Sequence, residues 1–271
     1  LLAALALGFN AFVWGVSWWP FRHLQSHGLH PLWSTVFIYL VAVAVIGCLR
    51  PRAFGQVLRT PALWVLVLAA GTTNAAFNWG VAIGDVVRVV LLFYLMPLWV
   101  AVLARLMLHE AFTRMAGVRV VLALAGAAIV LQPDGGGWPL PQSLPDWLGV
   151  MGGFSFALNN VMLRREARRP EEQRALAMFL GGALVAGTLA TGLTVSGRAG
   201  WPPMPTAGMF VVGGTLTAFF LLSNLALQYG AARLPANVSS VVMLGGGLIL
   251  AAALLASLQR PATEGSSAPA T

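Results

Sequence analysis

The chain has 271 residues, of which 58% are hydrophobic and only 9% charged. Soluble globular chains carry about 25% charged residues, so water cannot cover most of this surface and lipid must. The net charge of +8 comes from sixteen arginines against eight acids, with no lysine, which excludes Schiff-base chemistry. The arginine excess fits the charge bias that orients membrane proteins, not nucleic-acid affinity.

Nine apolar runs follow along the chain, at roughly 3–22, 31–49, 62–83, 86–108, 117–132, 146–163, 174–196, 206–230 and 235–258. They are continuously apolar. A transmembrane barrel would need alternation, so these are helices, with about twenty residues to each span. The first run is too long and too rich in Trp for a signal peptide. Asp85 and Arg88 open the fourth run three residues apart, on one helical face. They could form an outer gate or a charge pair for a zwitterion. Equally, they could be a helix cap beside an interfacial arginine. Pro97 removes a backbone hydrogen bond inside the same run and predicts a kink, a natural hinge. Residues 134–145 form a Gly- and Pro-rich linker between the halves 1–133 and 146–260. The tail 261–271 is small and polar, and is predicted to be disordered.

Sorting the arginines by side separates them sharply. Arg22, Arg88 and Arg198 fall on one side and the other thirteen on the opposite side. The positive-inside rule makes the arginine-rich side cytoplasmic and places both termini there.

The halves resemble each other. Asn78-Trp79-Gly80-Val81-Ala82 aligns with Gln228-Tyr229-Gly230-Ala231-Ala232 at an offset of 150 residues. Leu131-Gln132 aligns with Leu258-Gln259 at an offset of 127. A unit of five helices repeated once must be inverted, an architecture typical of transporters. The expected fold is therefore all-α, with ten transmembrane helices in two inverted five-helix repeats. The change of offset predicts that about 23 residues of helices nine and ten are missing between Leu244 and Gly245.

Trp14-Gly15-Val16-Ser17-Trp18 resembles the start of an EamA-type repeat. Leu95-Met96-Pro97-Leu98-Trp99, followed by Leu108-His109-Glu110, resembles its fourth helix and terminal glutamate. Gly230-Ala231-Ala232-Arg233-Leu234-Pro235-Ala236 resembles the junction of helices eight and nine in the second unit. The chain thus looks like a member of the drug/metabolite transporter superfamily, closest to bacterial aromatic-amino-acid exporters of the YddG type. The second-unit glutamate of the pattern is absent here. The resemblance implies a central cavity, a bacterial inner-membrane location and export of amino acids or related metabolites.

Ionisable groups inside a span are costly and usually functional, yet no carboxylate falls at mid-span. This favours neutral or zwitterionic substrates and facilitated or weakly coupled export over obligate proton antiport. Trp14, Trp18, Asn74, Asn78, Trp79, Tyr94, Asn160 and Gln228 lie deep and combine aromatic walls with amides, which suits a planar amphipathic ligand. The same aromatics would suit an organic cation, so a multidrug exporter is the alternative. Trp33, Trp64, Trp138, Trp147 and Trp201 lie near helix ends as an interfacial belt. No span carries a histidine, and no His-Glu-x-x-His pattern is present, which disfavours a membrane enzyme. Cys48 reads as packing. No cofactor or metal is implied. The expected partners are a small-molecule substrate and the lipid bilayer, with the protein a monomer.

Overall fold

The computed structural model describes residues 2–109, 114–132 and 140–233. The seam at Leu244–Gly245, half of the linker (134–139), the tail and the Gln228 side chain lie outside the described residues. Every regular element among those described is an α-helix. Five of them are long and apolar enough to cross a membrane: Pro31–Leu49, Pro61–Ile83, Val86–Met107, Glu171–Val195 and Ala207–Ala226. The chain is a multi-pass helical membrane protein.

The first apolar run folds as α1 (Leu2–Val16) and α2 (Trp18–Ser26), interrupted at Ser17. Pro20 has no N–H to give to the Val16 carbonyl, and its ring crowds that oxygen. The buried Ser17 hydroxyl donates to the Trp14 carbonyl at 2.9 Å. The second run is α3 (Pro31–Leu49), which begins with proline at its first position and with His30 as its cap. There the Leu32 N–H donates to His30 Nδ1 at 3.2 Å. Burial lowers the pKa of this imidazole, which keeps the accepting nitrogen unprotonated.

Between the second and third runs lies a helix that apolar-run analysis does not reveal, α4 (Pro51–Arg59). Ala53 and Val57 are buried, whereas Arg52, Gln56 and Arg59 stay on the exposed side. This is the pattern of a helix lying along a membrane surface. The third run is α5 (Pro61–Ile83), the most buried span. The fourth divides into α6 (Val86–Phe93) and α7 (Met96–Met107), with the break at Tyr94–Leu95. Pro97 accounts for it, since its ring and missing N–H strand the Phe93 carbonyl four residues back. Then come α8 (Arg114–Leu131), α9 (Leu144–Arg165), α10 (Glu171–Val195) and α11 (Ala207–Arg233).

The core forms around α5, which packs against α9 on one side and α10 on the other. Lipid tails are as apolar as the side chains, so spans associate by close packing of small residues. Gly71 on α5 meets Gly181 on α10, and a methyl group on Gly71 would lie 2.5 Å from Val185 Cγ2 and 2.7 Å from the Gly181 carbonyl carbon. Gly149 and Gly153 do the same for α9 against α6. A methyl on Gly149 would reach the Val89 carbonyl oxygen at 2.8 Å, and one on Gly153 would strike the oxygen of Phe93. The carbonyl that Pro97 strands thus sits where only a glycine leaves it room.

Polar groups also join spans. Asn10 Nδ2 on α1 donates to Ser223 Oγ at 2.6 Å and to the Ser223 carbonyl at 3.2 Å on α11, all buried. Ser223→Ala should cost about 0.6–1.7 kcal/mol, the range for hydrogen bonds between membrane helices. Thermal unfolding in detergent would measure it. An unchanged midpoint would mean that the bond contributes nothing.

Candidate functional site

The predicted site residues come together only in part. Trp14 stacks on Phe220 of α11, with ring centroids 5.1 Å apart, and meets Phe77 of α5 edge-on at 5.7 Å. Trp14 and Trp18 pack around Phe77, Val81 and Val89. Phe220 in turn lies 6.0 Å from the ring of Tyr39 on α3. The Tyr39 hydroxyl donates to Asn74 Oδ1 at 2.5 Å, and Asn74 Nδ2 donates to the Ala70 carbonyl. One turn along α5, Asn78 Nδ2 donates to Thr35 Oγ1 at 3.1 Å. Trp14, Phe77, Phe220, Tyr39, Asn74 and Asn78 therefore form one aromatic–amide assembly linking α1, α3, α5 and α11. Asn74 and Asn78 are buried, and each is tied to α3, so in this conformation they hold α3 against α5.

Other candidates fall elsewhere. Trp79 is half-buried, edge-on to His30 at 5.6 Å, and packs with Leu32, Val36 and the small residues of α10. It belongs to a different cluster from Trp14 and Trp18. Tyr94 is half-buried at the α6/α7 break, and Asn160 is half-buried on α9. Tyr39, Phe77 and Phe220 are members that sequence reasoning missed. Tyr39 had a signal, as the lone tyrosine inside a span that is otherwise aliphatic apart from its first turns. The two phenylalanines had none, because nothing in their spacing distinguishes them from lipid-facing ones.

At one end of the bundle, Asp85 and Arg88 take separate tasks. The Asp85 carboxylate caps α6, accepting the Arg88 backbone N–H at 2.8 Å. The Arg88 guanidinium reaches across to α9, where Nε and Nη2 donate to Asp146 Oδ1 and Oδ2 at 2.6 and 3.0 Å. Asp146 also accepts the Gln142 N–H at 3.1 Å and closes a capping box with Ser143. Sequence spacing had suggested a local role for Arg88 with Asp85. Its partner 58 residues away could not be read from spacing, because it depends on how α6 packs on α9. At the same end Arg22 donates to the carbonyls of Val81 and Gly84, closing the C-terminus of α5, and lies 5.4 Å over the Trp18 ring.

Among the described residues no group of three or more His, Cys, Asp or Glu could hold a metal ion. His23 and His27 lie one turn apart, with ring centroids separated by 4.5 Å, on the exposed end of α2. An apolar groove of about 230 Å³ runs between α1/α2 and α11, lined by residues such as Phe12, Val16, Trp19, Val212 and Phe219.

No curated protein matches the sequence significantly. A protein of known crystal structure shares the fold over 95% of this chain and 98% of its own, with a TM-score of 0.51 and 16% identity. That likeness concerns fold alone. Residues 1–132, just under half of the chain, match the model of the EamA-like transporter family.

Proposed function

We propose that this chain is an exporter of amino acids, aromatic and other neutral ones, and of related small metabolites, working by alternating access as a monomer in a bacterial inner membrane. Its units are residues 1–133 and 146–260, joined by the linker 134–145, and together they make ten helices in two inverted repeats with both termini cytoplasmic. The observation that carries the substrate reading is the aromatic–amide assembly of Trp14, Phe77, Phe220, Tyr39, Asn74 and Asn78. It offers flat apolar faces and neutral hydrogen-bonding groups, with no formal charge among them.

The pattern of packing supports the repeat. Exchanging the halves turns α5 into α11, α9 into α1/α2, and α10 into α3. α5 packs on α9 and α10, and α11 packs on α1 and α3. The partner relations survive the exchange, as a two-fold axis in the membrane plane requires. Pro97 would serve as hinge, since it already divides the fourth span, and Asp85 with Arg88 lies at the gate end. Trp79, Tyr94, Asn160 and Gln228 would enter the substrate path in other states of the cycle.

The test is counterflow in proteoliposomes. Vesicles loaded with unlabelled phenylalanine or tryptophan should take up the labelled amino acid without an imposed pH gradient. Tyr39→Phe with Asn74→Ala should lower the rate about ten-fold or more, since a site that hydrogen-bonds its ligand rejects or loses it when those groups go. The aromatic faces also favour organic cations as a second reading. Transport of ethidium but not of amino acids would establish that reading instead. Strict dependence on a pH gradient would overturn weakly coupled export.

A further inference from the structure

The arginines at the two ends of the bundle are used differently. At the end of Asp85, Arg22 is bound to backbone carbonyls and Arg88 to Asp146, and Arg198 stands exposed. At the opposite end, Arg50, Arg52, Arg59 and Arg168 are exposed, and none has a side-chain partner among the described residues. Their neighbour Glu166 is already engaged by Arg169 at 2.5 Å and Arg165 at 4.0 Å. From Arg50 to Thr60 there is no acid at all.

The fold gathers these groups. Arg52, Gln56 and Arg59 are spaced four and three apart, on one face of α4. Gln173 at the start of α10 donates to Gln56 Oε1. This bond ties the middle of the α4 stripe to the segment that carries Arg168, five residues before Gln173. Helical rise places Arg52 and Arg59 about 10 Å apart along α4, comparable to the width of a phospholipid headgroup. Ala53 and Val57 anchor the opposite face in the protein. Leu58 is 58% exposed, and Trp64 Nε1 donates to the Leu58 carbonyl, so apolar and interfacial groups border the basic stripe. A stripe of unpaired guanidinium groups on a surface-lying helix, with apolar neighbours at membrane depth, matches a lipid that is anionic in its headgroup and apolar below it.

We propose that α4 and the α9–α10 connection form a binding site for anionic phospholipid. The phosphates would be held by Arg52, Arg59 and Arg168, with the acyl chains lying along the exposed ends of α3 and α5. An orienting charge bias needs only arginines somewhere on that side. This arrangement adds a fixed helix, a cross-link through Gln56 and Gln173, and side chains without partners among the described residues. The site stands apart from the substrate assembly and does not depend on what is transported.

Native mass spectrometry of the full chain in detergent, with phosphatidylglycerol and phosphatidylcholine as probes, tests it. Phosphatidylglycerol adducts should survive at energies that strip phosphatidylcholine, and should raise the unfolding midpoint. An arginine near an anionic surface contributes about five-fold in binding. Arg52→Gln with Arg59→Gln should therefore weaken phosphatidylglycerol retention by about ten-fold or more and leave phosphatidylcholine unchanged. Arg198→Gln, at the other end, should change neither. A folded double variant with undiminished phosphatidylglycerol retention would overturn the proposal. So would equal retention of the two lipids by the native chain, or displacement of the lipid by millimolar inorganic phosphate, which would mark a site for soluble anions. If the double variant does not fold, Arg168→Gln alone must weaken retention about five-fold, and no effect there would overturn it as well. None of these readouts involves transport, so they separate this proposal from the exporter reading.

Discussion

Gly181→Ala should destabilise the protein by about 2–3 kcal/mol, near the upper end for overpacking a filled interior. The new methyl would lie 2.8 Å from the Val67 carbonyl carbon and 3.0 Å from the Gly71 nitrogen, and would overlap the Val67 oxygen. All are backbone atoms of α5, so no rotamer change can relieve the clash. The two helices must separate, and membrane helices lose van der Waals contact steeply as they do. Gly192→Ala on the same helix supplies the contrast. Nothing lies within 4 Å of its added methyl, so helix propensity alone should raise stability by about 0.5–1 kcal/mol. Thermal unfolding of both variants in one detergent measures the difference. If the two substitutions shift the midpoint in the same direction, the Gly71–Gly181 crossing is not the close contact described above.

The second large effect concerns the ion pair between α6 and α9, and it should be unequal for the two partners. Asp146 is 2% exposed at its side chain and Arg88 35%. Arg88→Ala leaves a buried carboxylate with only backbone N–H donors, and should cost about 3–4 kcal/mol, as for a buried pair broken from one side. Asp146→Ala releases a guanidinium that can swing into water, so its cost should be nearer about 2 kcal/mol, chiefly the lost cap and pair. The double variant should be more stable than Arg88→Ala alone, because no carboxylate is then stranded. Chemical or thermal unfolding of the three variants would decide. Equal losses for the single variants, or strict additivity in the double, would mean that the pair carries no coupling energy.

Membership of the aromatic–amide assembly was legible in part. Trp14, Asn74 and Asn78 could be named from depth and polarity, because an amide or indole in an apolar run is conspicuous against its neighbours. Their grouping was not legible. Trp14 and Trp79 look alike in sequence, yet one faces Phe220 and the other His30. Helical phase decides this, and a span hydrophobic on all sides carries too weak an amphipathic signal to fix its phase. The same reason hid Tyr39, whose hydroxyl draws meaning only from Asn74 across the helix boundary. Surface helix α4 was missed for a different reason: its nine residues are too short and too polar to register as an apolar run.

What the sequence by itself determined is the class of the molecule. Continuous apolar runs with few charges force backbone hydrogen bonds to close within each segment, so helices across a bilayer are the available solution. Pro97 also marked in the sequence that span four breaks, because the lost hydrogen bond is local to four residues, whereas the interruption of the first run before Pro20 emerged only with the structure. What only the tertiary structure decided is which helices touch, and therefore which polar groups meet. Arg88 with Asp146, Asn10 with Ser223 and Gly71 with Gly181 each join residues far apart in the chain. In lipid, no hydrophobic force selects one helix face over another, so partners are chosen by close fit and by the few polar groups that need each other. Those choices are properties of two surfaces at once, and no single segment of sequence contains them.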